Sequence, residues 1–127
     1  MAEQNEKSSQ RPLGLEPGVL DLLDLWQGVT LESVRRDGPD LSSRQMAVLL
    51  KVYLNEPPHT VRGLAEHLGV TKPVITRALD TLSQKGLLKR KRDEADGRNV
   101  LVQRTVKGAV FLTDFADIIR AEQLKRL

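Results

Sequence analysis

A mainly α-helical fold with one small β-hairpin is predicted by three features of this 127-residue sequence. Apolar residues recur at three- and four-residue steps along most of the chain, as they do on the buried face of a helix. Near residue 90 this spacing stops, and the short apolar runs GLL and NVLV flank the charged stretch KRKRDEADGR, a pattern typical of two paired strands and their turn. Helical spacing returns after Thr105 and continues almost to the end.

The length of the chain predicts one domain with its own hydrophobic core, from residue 19 to residue 127, behind a flexible N-terminal arm of residues 1–18. The arm is rich in Ser, Gln, Pro and Gly and has little periodicity. The polar N-terminus has no apolar segment typical of a secretory signal, and the longest strictly aliphatic run, MAVLL, is far shorter than the roughly 20 residues that span a bilayer. We therefore expect a soluble, cytoplasmic protein.

Charge is distributed unevenly along the chain. Residues 1–40 contain four Lys and Arg against eight Asp and Glu, whereas residues 60–104 contain ten against five. A basic segment beside an acidic one indicates a surface that faces a polyanion. Charge alone is also compatible with a basic surface that is merely solvated.

The first half of the chain predicts two helices, which the sequence RRDGPD separates. The first begins near Val19, and its apolar positions are Leu22, Leu23, Trp26, Val29 and Leu31. At the start of the second, Ser42 is a candidate N-cap, and Gln45, three residues on, can complete a capping box. The apolar positions of this helix are Met46, Leu49, Leu50 and Tyr53.

Two short helices joined by a tight turn follow. Thr60 and Thr71 are placed to cap them, and Gly69 lies in the turn, where glycine readily adopts a positive φ. The apolar positions that can fill the angle between the helices are Leu64, Ala65, Leu68, Val70, Ile75 and Ala78. This spacing predicts a helix-turn-helix whose second helix, residues 71–85, lies in the major groove of DNA. The same fold also serves in protein assemblies, so a protein-interaction role stays open.

If Ile75, Leu79 and Leu82 face the core, the opposite face of the second helix is polar. Its residues are Thr71, Lys72, Pro73, Thr76, Arg77 and Asp80. Arg77 can donate two hydrogen bonds to guanine, the threonines and the N-terminal amides can bind phosphates, and the proline can pack on a thymine methyl. The alternative is a solvated helix face on which Thr71 serves only as a cap.

The hairpin that follows this helix is interpreted as a wing. Arg98 at its tip can enter the narrow minor groove, Asp96 can pair with the guanidinium, and Gly97 allows the turn between them. Side chains alternate along the strand KRKR, so about half of these cations can face DNA. Lys89 and Lys91 are assigned to that face.

An enzymatic role is not indicated by the sequence. His59 and His67 are the two histidines, and they belong to no His-Glu-x-x-His pattern. The chain has no cysteine, which excludes a disulfide framework, a thiolate zinc site and a thiol redox switch. We expect no catalytic residue, no metal site and no cofactor.

Four segments, LSSRQMAVLL, TVRGLAEHLGVTKPVITRALDTLSQKGLLKRK, DGR and TVKGAVFL, occur in an order that resembles the winged-helix core of the MarR family of bacterial transcription regulators. The resemblance covers about residues 41–112. It implies a homodimer, built by N- and C-terminal helices at about 19–36 and 105–127, on a roughly palindromic operator. Such regulators are usually repressors that a small molecule or another signal releases. On matching positions, Arg98 is implied to be the minor-groove residue and Asp96 its partner, with the second helix as the major-groove reader.

Three positions depart from the family pattern. Gly97 stands where many relatives have a second arginine, Gly63 stands where a helix-favouring residue is usual, and Arg104 replaces an apolar residue. The family's ligand pockets are often lined with aromatics, and Trp26 is the candidate here, although a core or interface role is favoured.

The residues and the resemblance together predict a winged helix-turn-helix with flanking dimerisation helices. The expected function is sequence-specific transcription regulation on double-stranded DNA, with a small-molecule effector and association with the nucleoid. A protein-interaction or nucleoid-architectural subunit, without sequence-specific operator binding, is the alternative.

Overall fold

The computed structural model describes residues 14–127, and within them it contains five helices and three strands. The helices are α1 (Pro17–Arg35), α2 (Ser43–Leu54), α3 (Val61–Leu68), α4 (Lys72–Gln84) and α5 (Val106–Leu124). The strands are β1 (His59–Thr60), β2 (Leu88–Arg92) and β3 (Val100–Arg104). The predicted mainly α fold with a β-hairpin is confirmed. Helix α1 begins at Pro17 rather than near Val19, because proline suits the first turn of a helix.

The described residues form two compact units. One comprises residues 38–116, and the other comprises residues 14–37 together with 117–127. The first unit holds α2, α3, α4, the sheet and the beginning of α5. Residues 1–13 of the predicted arm lie outside the described part of the chain. The sequence-based boundaries, an arm before residue 19 and one domain after it, stay a prediction.

The core of the 38–116 unit lies where α2, α3 and α4 pack on the base of the hairpin. Its buried members on the three helices are Val48, Leu49, Val52, Leu64, Ala65, Ile75, Ala78, Leu79 and Leu82. Leu87, Leu88 and Val102 complete it at the base of the hairpin. Each of the three helices thus buries one apolar stripe. On α2 the stripe is Val48, Leu49 and Val52, so the predicted face is right only at Leu49, and Met46, Leu50 and Tyr53 are half-buried beside it.

The predicted starts of α2 and α3 are confirmed in detail. Ser42 Oγ accepts a 3.1 Å hydrogen bond from Gln45 N, and Gln45 Oε1 accepts a 2.9 Å bond from Ser42 N, which together form the capping box. Thr60 Oγ1 accepts a 2.9 Å bond from Gly63 N. Gly69 ends α3 with a φ of 66°, the left-handed conformation expected for this turn.

The cap predicted for α4 is only half right. Thr71 occupies the N-cap position, but its side chain makes no capping hydrogen bond. A capping side chain bonds to the amide of the second or third helical residue. The second residue is Pro73, which has no amide proton, and the amide of the third, Val74, donates to the carbonyl of Thr71 at 3.1 Å. The hydroxyl therefore has no capping role, and the residue is exposed.

The sheet is antiparallel and has the order β1-β3-β2. Strands β2 and β3 pair from Leu88 with Arg104 to Arg92 with Val100, which confirms the hairpin. Strand β1 pairs with the other edge of β3 and is not predicted by the sequence, because two residues are too few to show an alternating pattern.

Arg104 joins the end of β3 to the end of α2. Its Nε donates to Val52 O at 2.9 Å, and its Nη2 donates to Asn55 O at 2.7 Å. The guanidinium also lies 6.0 Å from the centre of the Tyr53 ring. A cation that bonds the last carbonyls of a helix is favourable there. These contacts explain the arginine at a position where the family usually has an apolar residue.

Tyr53 connects α2, the base of the hairpin and the beginning of α5. Its hydroxyl donates to Leu87 O at 2.7 Å and accepts from Thr105 N at 2.9 Å. Thr105 Oγ1 in turn donates to Gly86 O at 2.7 Å and accepts from Gly108 N at 3.0 Å. A Cβ atom at Gly108 would overlap both the Tyr53 hydroxyl and Leu87 O. Glycine is therefore required for this close approach.

In the other unit, α1 meets the end of α5 at Gly28, where a Cβ atom would overlap Glu122 Oε1. Arg126 donates from Nε to Asp24 Oδ2 at 2.9 Å and from Nη1 to Glu122 O at 2.6 Å. Lys125 Nζ donates to Glu122 Oε2 at 2.7 Å. The hydrogen bond from Lys125, with a further one from Arg126, holds the pKa of Glu122 below its usual value despite burial of the residue.

Many of the apolar residues that give α1 and α5 their helical spacing are exposed. They are Val19, Leu22, Leu23, Trp26, Leu31, Val34, Val106, Val110 and Ile119. Only Val29 of α1 is buried. Exposed apolar side chains at this density are typical of a surface that another molecule covers. Within residues 14–127, no helix has the length and apolar character needed to cross a membrane.

Gly108→Ala is expected to lower the free energy of unfolding by about 1–3 kcal/mol, the usual cost of overpacking. The added methyl group must displace the Tyr53 hydroxyl from its hydrogen bonds, and this outweighs the better helix propensity of alanine. Urea denaturation followed by circular dichroism measures the change. Gly18→Ala in α1 is the control, because a Cβ atom there meets nothing within 4 Å. An unchanged midpoint for Gly108→Ala would contradict this account of the junction.

Candidate nucleic-acid interface

The exposed face of α4 is determined by the burial of its opposite face. Ile75, Leu79 and Leu82 are fully buried, as the sequence predicts. The exposed residues on the other side are Thr71, Lys72, Pro73, Thr76, Arg77 and Asp80. This face therefore presents hydrogen-bonding groups and two cations on a rigid support, which is the arrangement that contact with a nucleic acid requires.

Asp96 organises the turn between β2 and β3. Its Oδ1 accepts hydrogen bonds from the backbone N of Arg98 at 3.1 Å and from Nε of the same residue at 3.2 Å. Its carbonyl accepts from Asn99 N at 2.9 Å. The predicted pairing of Asp96 with Arg98 is confirmed. The Arg98 side chain is 92% exposed, so the carboxylate orients the guanidinium while its outer nitrogens face solvent.

Gly97, between these two residues, is not required by the turn. The glycines of the described chain that have a positive φ are Gly14, Gly38, Gly69 and Gly86. A Cβ atom at Gly97 would meet only Arg92 Cδ, at 4.0 Å. Glycine is thus compatible with this turn, but the turn does not depend on it. The hydrogen bonds of Asp96 form the turn, as an aspartate side chain does in an Asx-turn.

Helix α4 and the wing tip line one groove, of about 430 Å³, which we call the wing groove. Helix α4 contributes Lys72 and Thr76, and the wing contributes Asp96 and Arg98. The structure thus brings four of the sequence-predicted site residues together. The carboxylate among them already pairs with Arg98, so the groove favours an anion.

Arg62 is a further cation of the wing groove that the sequence reasoning missed. It lies in the first turn of α3, and its Nε is 3.7 Å from Glu66 Oε1. Both side chains are strongly exposed, and ion pairs of this kind are weak, so Arg62 can turn towards an anion. The sequence does indicate that Arg62 is exposed at the start of α3. It lies two residues after the N-cap Thr60 and on the side of the helix opposite Leu64.

Not every predicted residue lies in the wing groove. Arg77 is exposed at the opposite edge of this helix face, where it lines a second groove with residues at the start of α2. Thr71 and Pro73 are exposed in the first turn of α4. These three residues therefore belong to the same helix face as Lys72 and Thr76 but do not line the groove.

The cations of β2 divide between the two sides of the strand. Arg90 follows the buried Leu88 at a two-residue step, and its Nη1 lies 2.8 Å from Asp80 Oδ1 on α4. Lys89 and Lys91 lie on the other side of the strand, so the structure does not bring them to α4. The ion pair between Arg90 and Asp80 was not predicted from the sequence. Since side chains alternate along a strand, the two-residue step from the apolar Leu88 would have indicated that Arg90 lies on the same side of β2 as the core.

The two histidines have different surroundings. His59 is nearly buried in β1, and its Nε2 donates a 3.0 Å hydrogen bond to Asn55 O. Because a carbonyl only accepts, this bond assigns the proton to Nε2. His67 is exposed on α3. Residues 14–127 contain no group of three or more His, Cys, Asp or Glu side chains that could hold a metal ion.

Trp26, the candidate for a ligand pocket, is 59% exposed on α1. It lies among the exposed apolar residues of that helix, which is the environment of an interface residue. Its role in ligand binding stays a prediction.

Comparison with known proteins agrees with this geometry. The model of the MarR family matches residues 41–100. The organic hydroperoxide resistance transcriptional regulator of Bacillus subtilis (strain 168) is 37% identical over 82 residues, which are 65% of this chain and 55% of that protein. The chain therefore spans about half the length of this relative.

Solved structures share the fold over most of the chain. An S. aureus MepR mutant bound to an oligodeoxyribonucleotide has a TM-score of 0.72 at 21% identity, with 87% of this chain and 81% of that chain covered. YusO from Bacillus subtilis has a TM-score of 0.70 at 24% identity, with 100% and 84% covered. The PcaV transcriptional regulator from Streptomyces coelicolor has a TM-score of 0.61 at 28% identity, with 86% and 79% covered.

These similarities confirm the winged helix-turn-helix fold predicted from the sequence. The matched segment contains α2, α3, α4 and the wing tip, which are the elements that carry the candidate interface. Two of these proteins, the Bacillus subtilis relative and PcaV, are named as transcriptional regulators. The family that the segment with the candidate interface matches, over residues 41–100, is MarR.

Proposed function

We propose that this chain is a sequence-specific, double-stranded DNA-binding transcription regulator. The observation that carries the proposal is the wing groove, where the polar face of α4 and the oriented guanidinium of Arg98 open towards the same space. A helix that reads the major groove and a wing that reaches the adjacent minor groove need this arrangement. Similarity to MepR, which has been solved with an oligodeoxyribonucleotide, supports the same function.

Each residue of the interface has a role that follows from its chemistry. Arg77 reads a base, since its guanidinium can donate two hydrogen bonds to guanine. Thr71, Thr76 and Lys72 bind backbone phosphates near the start of α4, and Pro73 packs on a thymine methyl. Lys89 and Lys91, on the side of β2 away from α4, add positive charge to the wing and so strengthen its attraction to phosphates at longer range. Arg98 enters the minor groove, with Asp96 as its orienting partner.

The active form that we propose is a homodimer on a roughly palindromic operator. The exposed apolar residues of α1 and α5 support this form, because they are the surface that a second copy would cover. Two-fold symmetry places the recognition helices in two half-sites about one turn of DNA apart. Through its operators the protein would associate with the nucleoid. It would act as a repressor, with a small-molecule effector bound near Trp26.

Arg77→Ala is expected to reduce the discrimination between the operator and a duplex altered at the contacted base pair by about 1–3 kcal/mol. Operators are first obtained by selecting genomic duplex fragments with the purified protein, and the variant is then compared on them. Wild-type protein should enrich an inverted repeat, and the preference at one base pair of each half-site should relax in the variant.

Selection also tests the function as a whole. Salt-sensitive binding without an enriched sequence would favour a nucleoid-architectural role instead, because phosphate contacts alone carry no sequence information. Absence of binding at low salt would reject the DNA-binding function and favour a protein partner.

Arg98→Ala is expected to weaken operator binding by about 1.5–3 kcal/mol, the range for hydrogen bonds to charged groups, and to leave the major-groove preference almost unchanged. Arg98→Lys is the matched variant, since it keeps the charge but loses the Nε bond to Asp96. An intermediate affinity of Arg98→Lys would show that the orientation of the guanidinium matters. Equal affinities of both variants and the wild type, in titrations on one operator, would remove the wing from the interface.

Leu22→Glu is expected to weaken self-association, because burying a leucine side chain contributes about 1.5–3 kcal/mol and the glutamate would have to be desolvated. Leu22 is 69% exposed on α1. Leu54→Glu is the control, since Leu54 is 74% exposed at the end of α2, outside the proposed dimer helices. Sedimentation equilibrium should show a weaker dimer only for Leu22→Glu. A wild-type protein that stays monomeric on its operator would reject the dimer.

A further inference from the structure

A second groove lies on the side of α4 opposite the wing groove. It has a volume of about 180 Å³, and we call it the α2 groove. Its polar and charged lining comes from Ser42, Arg44 and Gln45 at the start of α2 and from Arg77 and Thr81 on α4. The recognition helix is therefore a ridge between two grooves, each of which contains cationic side chains.

The positive charge of the α2 groove is not neutralised by the described part of the chain. Arg44 and Arg77 are its charged residues, and no carboxylate lines it. Neither arginine takes part in an ion pair within residues 14–127, whereas Arg62, Arg90 and Arg98 each have a carboxylate within 4.0 Å. Two guanidinium groups without a counter-charge, on one polar groove, favour an anionic ligand.

The α2 groove is also formed before any ligand binds. Ser42 and Gln45 are held by the two hydrogen bonds of the capping box, at 2.9 and 3.1 Å. Ala78, on the α4 side, is buried against the core. The capping box uses both side chains only as acceptors, so the Ser42 hydroxyl, the Gln45 amide and the Thr81 hydroxyl remain as neutral donors beside the two charged guanidinium groups. Arg44 is one of them and has no role in the interface described so far.

DNA geometry identifies the ligand, provided that the proposed DNA-binding function holds. A helix in the major groove has a sugar–phosphate backbone on each side, since the two strands border that groove. The wing groove, with Lys72 and Arg98, lies on one side of α4, and the α2 groove lies on the other. The second backbone would therefore run past Arg44.

We propose that Arg44 binds a backbone phosphate of the strand that borders the major groove on the side away from the wing. Arg77 reads a base beside it. The planar guanidinium of Arg44 can donate two parallel hydrogen bonds to the phosphate oxygens. Phosphate contacts on both sides of α4 would fix its depth and rotation in the groove, so Arg44 acts as a positioning residue and carries no base preference of its own.

The test compares Arg44→Gln with Lys51→Gln on a selected operator. Both variants remove one positive charge from α2, but Lys51 lines a different groove, with His59 and His67. Arg44→Gln should make the slope of log affinity against log salt shallower by about 1 per bound protomer, while Lys51→Gln should leave it unchanged. The ratio of wild-type to variant affinity should shrink by about three- to fourfold per bound protomer, or roughly tenfold for the proposed dimer, as salt rises from about 50 to about 200 mM. The base preference of the selected duplexes should not change.

Duplexes with a single uncharged methylphosphonate linkage locate the contact. At one position on the strand away from the wing, neutralising the phosphate should weaken the wild type and leave Arg44→Gln unaffected. Circular dichroism confirms that the variant is folded, and Arg44→Lys, which keeps the charge, should retain the wild-type salt slope.

Wild-type protein that binds no DNA would reject the proposed function itself. Wild-type binding with equal slopes for Arg44→Gln and Lys51→Gln, or with no such linkage position, would overturn the role of Arg44 alone.

Discussion

The candidate interface depends on the burial of one face of α4. Ile75, Leu79 and Leu82 are inaccessible to solvent, which fixes the rotation of the helix about its axis. A rotation that moved Arg77 or Lys72 by one position would expose these apolar side chains and leave voids in a core packed by α2 and α3. The orientation of the candidate reading face is thus set by buried side chains on the opposite side of the helix. The two grooves on either side of α4 follow from the same packing.

The acidic side chains of this basic interface matter chiefly because they fix the positions of neighbouring cations. Asp96 accepts from the backbone and the side chain of Arg98, and Asp80 lies 2.8 Å from Arg90. The first pair orients a wing-tip cation outwards, and the second holds the strand of the wing against α4. A surface of unpaired lysines would attract polyanions as strongly but would not define the direction of any donor.

Features that depend on neighbouring residues were predictable from the sequence, and features that depend on distant ones were not. The Ser42–Gln45 capping box, the left-handed Gly69 and the Asp96–Arg98 pair each arise within four residues of chain. Strand β1 and the bonds of Arg104 to the end of α2 join segments about 40 to 50 residues apart, which a local pattern does not register. The Thr71 hydroxyl fails as a cap for a local reason, because Pro73 removes one amide and the backbone uses the next.

There is room for a side chain at Gly97, so the charge of the wing tip can change without a change in the fold of the wing. Since neither a positive φ nor a close neighbour demands glycine there, the turn accepts other side chains while Asp96 maintains its shape. A basic side chain in place of Gly97 would therefore add positive charge to the wing tip without straining the turn. Under the proposed function, such a change would strengthen the attraction of the wing to the minor groove, while the Asp96–Arg98 pair keeps its geometry.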